Sequence, residues 1–416
     1  MSIRSFRNAG HLPTLVSAFL YFDVSFMVWV IMGPLGPFIG ESLHLSASQK
    51  GFLAALPLLG GSFFRLILGA STERFGGRRT ALTGMALTLI PLFLGWRVAG
   101  TFTEFLGLGL LLGISGASFA AALPLVSEWY PPEYQGLALG IAGAGNSGTL
   151  MASLFAPRLA QVFGWREVFP IAALPVIAVW IAFFFLAKDA PVQRTVKSWK
   201  DYASVIRIGD SAWFCFLYSL TFGGFSGFAS YLSIFFRDQY HVSKVTAGDL
   251  TTFVVLFGSF LRPVGGVLAD RLGGYRMLVV LFSTAVASLA LLATLPVTAV
   301  AVTIFAVLMA MLGLGNGSVF QLVPQRFPDR VGIMTGLVGA AGGLGGFALP
   351  AAMGLLKDKT GSFAGGFTLI AFLFLSGLFA LVYLRNIWRQ TWPAKAAERA
   401  GLLTGQSAVA AAYAAD

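Results

Sequence analysis

The sequence predicts an all-α, polytopic membrane protein made of two pseudo-symmetric six-helix halves, and three observations predict it. Of 416 residues, 57% are hydrophobic and only 11% charged, with a mean hydropathy of +0.80, outside the range of water-soluble globular chains. Apolar runs long enough to cross a hydrocarbon layer of roughly 30 Å recur twelve times. A word of sequence built around an arginine returns 197 residues later, close to half the chain.

In chain order the spans fall at about 13–38, 48–71, 79–97, 102–128, 134–160, 166–187, 211–236, 246–269, 277–294, 298–322, 331–356 and 362–384. The first follows Arg4 and Arg7 and lacks a small-residue cleavage pattern, so it reads as a retained helix and not a signal peptide. The second and eighth carry the repeated word, Gly61-Ser62-Phe63-Phe64-Arg65 and Gly258-Ser259-Phe260-Leu261-Arg262. At equal offsets there follow Gly69, Glu73-Arg74, Gly76-Gly77 and Arg79 in the first half, and Gly266, Asp270-Arg271, Gly273-Gly274 and Arg276 in the second. In the fourth, Gly116-Ala117-Ser118-Phe119 echoes Gly317-Ser318-Val319-Phe320 of the tenth. In the fifth, Gly145-Asn146-Ser147-Gly148 echoes Gly342-Gly343-Leu344-Gly345 of the eleventh, again 197 residues on. The polar stretch Lys188 to Asp210 separates six spans from six. The expected organisation is therefore a first bundle at 1–187, a linker at 188–210, a second bundle at 211–385 and a tail at 386–416. The alanine-rich part of that tail, from Pro393, is expected to be poorly ordered.

The formal net charge of +11 could suggest nucleic acid as a partner, but the positions of the basic residues exclude it. With the N-terminus in the cytoplasm, 18 of the 28 Lys and Arg fall on the cytoplasmic side and eight outside, leaving Arg65 and Arg262 inside the membrane. The positive charge is thus topological, with both termini expected in the cytoplasm. The single cysteine, Cys215, excludes an intrachain disulfide and a multi-cysteine metal site. His11, His44 and His241 fall at or outside helix ends, so no enzyme site, metal or cofactor is expected.

A guanidinium at bilayer depth costs on the order of 3 kcal/mol or more, so something specific keeps it there. From Arg65 to Glu73, and from Arg262 to Asp270, is eight residues, about 12 Å along a helix, which puts both charges near mid-membrane at one depth. Asp23 is the only acidic residue clearly inside a predicted span, so the interior keeps a surplus of +1 that a small anion would balance. A planar guanidinium offers two parallel N–H donors to a planar oxyanion, which suits nitrate or nitrite better than a spherical halide. The duplicated context implies that the two arginines act alike.

Twelve spans, a central linker and the loop motif Gly69 to Arg79, repeated at Gly266 to Arg276, resemble the major facilitator superfamily. Within it, the intramembrane arginine pair and the glycine words Gly140 to Gly148 and Gly339 to Pro350 resemble the nitrate/nitrite porter family, over the chain to about residue 385. One departure is Gly343 where the first half has Asn146, so a polar ligand is expected from only one of these two helices. The resemblance implies secondary transport of nitrate and nitrite, with Arg65, Arg262, Asn146, Tyr218, Phe222, Phe119, Phe320, Gly145 and Gly343 at the substrate site. The glycines also suit close helix approach. Glu73, Arg74, Arg78, Asp270, Arg271 and Arg276 are expected to form a cytoplasmic conformational latch. Asp23, the sole titratable group within a span, is the candidate for proton coupling, and its alternative is permanent neutralisation of an arginine. The expected partners are the anion, protons and the lipid bilayer, with the chain a monomer. Nitrate/proton symport is expected, against two alternatives: nitrate/nitrite antiport, and carriage of another small anion.

Overall fold

The computed structural model describes residues 3–191 and 204–403, and the regular structure among them is entirely helical. In the first half a short α1 (Ile3–Ala9) leads into α2 (Leu12–Val30) and α3 (Met32–Ser42), which join at Ile31 as one span. There follow α4 (Ala47–Phe75), α5 (Gly77–Arg97), α6 (Phe102–Gly116) continuing into α7 (Phe119–Ser127), α8 (Pro132–Gly143), α9 (Gly148–Phe163) and α10 (Trp165–Leu186). The second half contains α11 (Gly209–Tyr240), α12 (Lys244–Leu272), α13 (Gly274–Ala293), α14 (Thr298–Arg326), α15 (Val331–Thr360) and α16 (Ala364–Thr391), then a short α17 (Ala394–Arg399).

Eleven of these spans are long and apolar enough to cross a membrane. The twelfth expected span, 134–160, is not one helix. It breaks into α8 and α9 around a 3-10 turn, Ala144–Ser147. Glycine costs about 1 kcal/mol per residue in a helix interior, and this stretch holds Gly140, Gly143, Gly145 and Gly148.

The repeated loop motif has a conformational cause. Gly76 (φ 92°) and Gly273 (φ 86°) both end the arginine-bearing helix with a positive φ, which residues with a side chain adopt only at a cost. The chain then re-enters a helix at the next residue. α4 and α12 are each 29 residues long, and each arginine lies ten residues before its helix's end, about 15 Å along the axis. The two arginines therefore occupy the same register of their helices.

The halves meet closely on the face opposite the chain termini, called here the far face. A Cβ on Gly51 would stand 2.5 Å from the Pro350 carbonyl oxygen, and one on Gly248 would stand 2.6 Å from that of Ser153. Only glycine permits either approach. The charges around this seam pair across the halves: Lys50 with Asp238, Glu41 with Lys244, and Arg158 with Asp249 at 2.6 Å. Asp358 also accepts from the Ser46 hydroxyl and from the Ala47 and Ser48 amides, capping the start of α4 from the other half at 2.8–3.0 Å.

The expected disorder of the tail is overturned where the chain is described. α16 runs seven residues past the predicted limit at 384, and α17 packs back on the near face. There Arg276 donates to the Gly401 and Leu403 carbonyls, while Tyr275 N donates to Ala400 O. Tail residues 404–416 and linker residues 192–203 lie outside the described residues.

Candidate anion site

α4 and α12 bring Arg65 and Arg262 to a shared aromatic cluster at mid-depth. The Arg65 guanidinium carbon lies 5.4 Å from the Phe119 ring centre and 5.6 Å from that of Phe222. For Arg262 the same two distances are 5.6 and 5.8 Å. The cations thus occupy the negative ring faces of one residue from each half, a contact worth more where water is excluded. Tyr218 stacks on Phe222 (5.3 Å, interplanar 1°), and Phe320 meets Tyr218 at 4.9 Å and Phe119 at 6.3 Å. Six of the residues implied by the sequence therefore form one connected group.

The two arginines differ in their partners. Arg65 is 3% exposed and donates through Nη1 to the Gly339 carbonyl of α15 and through Nη2 to the Gly116 carbonyl at 3.0 Å. Gly116 ends α6, and the break at Ala117–Ser118 leaves that carbonyl at the negative end of a helix dipole. Arg262 is half-buried and donates from Nη2 to the Tyr218 hydroxyl at 3.4 Å, a long bond. Arg65 Nε and Arg262 Nη1 are buried with no hydrogen-bond partner. Neither guanidinium pairs with a carboxylate among the described residues, so the site retains donors and positive charge for an anion.

Asn146 sits in the 3-10 turn, fully buried, with both amide atoms unpartnered. The turn packs on α2 and faces α12 of the other half. Asp23, on α2, accepts from the Ser147 hydroxyl at 2.6 Å. Its partner is thus the broken fifth span, against the alternative of permanent pairing with an arginine.

Gly145 and Gly343 face neighbouring helices and not the aromatic cluster. A Cβ on Gly145 would stand 2.9 Å from Asp23 N and Phe19 O, and one on Gly343 would collide with Ser62 Oγ. Both glycines admit a close helix approach. The latch residues that show bonds use them within their own half. Arg78 donates to the Phe184 carbonyl and Asp189, Arg276 holds the tail, and Arg74 lies over Phe75. Asp270 and Arg271 are exposed, and Glu73 is half-buried. The cross-half pairs lie on the far face instead.

Sequence reasoning missed Trp29 and the carbonyl of Gly339. The Trp29 ring centre is 5.8 Å from the Arg65 guanidinium carbon, its Nε1 donates to Pro57 O at 2.6 Å, and it packs where a Cβ on Gly61 or Gly116 would clash. Gly61, which opens the arginine word, was the available signal for a large ring beside it. A backbone carbonyl carries no sequence signal at all.

The sequence matches the Major Facilitator Superfamily over residues 17–350. It is 32% identical to the nitrite extrusion protein of Bacillus subtilis, over 86% of this chain and 91% of that protein. It is likewise 32% identical to the probable nitrate/nitrite transporter NarK2 of Mycobacterium tuberculosis, over 84% and 90%. With the probable nitrate transporter NarT of Staphylococcus epidermidis the identity is 31%, over 87% and 93%.

Proposed function

This chain belongs to the nitrate/nitrite porter family of the major facilitator superfamily, and we propose that it carries nitrate and nitrite across the bacterial cytoplasmic membrane by alternating access. The observation that carries this reading is the pair of guanidiniums, one per half, sharing two aromatic faces with no carboxylate partner among the described residues. The fork geometry of arginine matches two oxygens of a flat oxyanion. The surrounding rings exclude water and so strengthen each charge contact. The names of the three relatives agree with this substrate class.

The paired charges and glycine contacts of the far face support a conformer closed on that side, with Arg262 the more accessible arginine from the near face. With the near face cytoplasmic, as the charge distribution argues, this is the inward-facing half of the cycle. An anion arriving between the arginines would compete with the Gly339 carbonyl for Arg65, which links ligand binding to the contact between the halves. The monomeric state and the two six-helix bundles at 1–187 and 211–385 belong to the same reading.

Entry of an anion against an inside-negative potential costs about 2.3 kcal/mol per 100 mV, so uptake needs coupling. Proton symport through Asp23 is the favoured route, because that carboxyl sits beside the Asn146 turn. Exchange for nitrite is the second reading, favoured by the name of the Bacillus relative. The test is counterflow of labelled nitrate in proteoliposomes, with and without internal nitrite and with an imposed pH gradient. Accumulation driven by the gradient alone supports symport, and uptake only with internal nitrite supports exchange. Absence of nitrate uptake under every condition overturns the substrate assignment.

A further inference from the structure

The first half presents the buried Asn146 on a turn that faces the arginine-bearing α12, and the second half has Gly343 at the same offset. The second half nevertheless holds a buried amide of its own, one helix away. Asn316, in the word Gly313-Leu314-Gly315-Asn316-Gly317 of α14, is 0% exposed and has no hydrogen-bond partner for either amide atom. Its neighbouring glycines explain the burial. A Cβ on Gly315 would meet the Thr221 side chain of α11 at 2.8 Å, and one on Gly317 would stand 2.9 Å from the Arg262 carbonyl of α12. Asn316 is therefore level with Arg262 and lies one helical turn from Phe320, whose ring packs on Tyr218 and Phe119. Leu312, one turn the other way, points at α11, where it touches the Cβ position of Gly224. The stripe carrying Asn316 thus faces α11 and the aromatic cluster. Across from it the Thr221 hydroxyl is also buried without a partner.

A buried amide with neither atom bonded is rare, because each unmet group is penalised for leaving water. A packing role cannot account for it, since an apolar side chain would fill the same space without that penalty. We propose that Asn316 is the anion ligand of the second half, the functional counterpart of Asn146 supplied from α14 in place of α15. The inference rests on the transport reading above. Its amide N–H donates to an oxygen of the bound oxyanion, completing a set of one arginine and one asparagine from each half.

The test uses the purified full chain, measuring thermal melting and nitrate affinity of Asn316→Ala, with Asn316→Ser as a rescue that keeps one hydroxyl donor. The expected result is an unchanged or raised melting temperature together with nitrate binding weaker by about tenfold or more, partly restored in Asn316→Ser. Wild-type affinity in Asn316→Ala overturns the proposal. A lowered melting temperature in both variants also overturns it, because the amide would then be bonded within the protein. Failure of the unmodified chain to bind nitrate would instead bring down the transport reading itself.

Discussion

Arg65 and Arg262 occupy the same position in two helices of equal length, yet the first is tied to backbone on both sides and the second is held by one long bond. Arg65 spans the halves by bonding Gly116 of its own half and Gly339 of the other. Arg262 reaches only Tyr218, which lies on its own half. The residue 197 positions before Gly339 is Ala142, so the approach that admits Arg65 to a bare helix carbonyl has no twin in the first half. A duplicated sequence fixes where two charges lie but not what each one holds, because the acceptors come from a helix whose packing has diverged. Arg65 joins the halves, whereas Arg262 is the less constrained guanidinium.

The largest expected effect comes from Arg65→Lys combined with Arg262→Lys, which keeps both charges but removes both forks. Nitrate uptake in proteoliposomes should be abolished in this variant, and most of it should be lost in each single one. Melting temperature separates the two, falling for Arg65→Lys and holding for Arg262→Lys. An inserted, monodisperse double variant with wild-type uptake would leave both arginines structural and erase the contrast.

Next in size is Asp23→Asn, which removes the only buried carboxyl beside the first-half break. Gradient-driven accumulation should vanish while nitrate counterflow survives. Accumulation that persists in this variant moves coupling elsewhere.

Gly339→Ala probes the docking point directly, since its Cβ would stand 3.3 Å from Arg65 Nη1. Because an arriving anion competes with this carbonyl for Arg65, nitrate affinity should rise several-fold, by roughly 1 kcal/mol for one weakened bond. An unchanged affinity would show that the carbonyl is dispensable. The aromatic residues follow. Tyr218→Phe should weaken binding by less than about tenfold, given the length of its bond. Phe222→Ala and Phe320→Ala should mainly erode discrimination against larger anions in competition assays.

The smallest effect concerns how each half begins. α2 is capped by His11, whose Nδ1 accepts from Thr14 N, whereas Ile208 before α11 offers no side-chain cap. Burial, with Lys188 nearby, holds the His11 imidazole below its ordinary value of 6.5. The neutral form is the one favoured by folding, so the cap's contribution is present above that value and lost as pH falls through the lowered one. Melting of the first half should therefore soften slightly in acid, and His11→Asn, which caps without titrating, should flatten the dependence.

The aromatic company of the arginines came from the family resemblance, while the sequence by itself determined the class, eleven of the twelve spans, the two halves and the matched register of the arginines. Each of these is written in composition or in a repeat: apolar runs need a fixed length to cross a bilayer, and an offset of 197 residues carries one helix register onto the other. It could not show that the fifth span breaks while the eleventh stays whole, since both are glycine-rich. It could not give the rotation of Gly145 and Gly343 towards neighbouring helices, nor the commitment of Arg276 to the chain's own tail. The tertiary structure decided these, together with the partners of Arg65. Backbone carbonyls are present at every residue, and which of them faces a charge depends on how closely two helices pack.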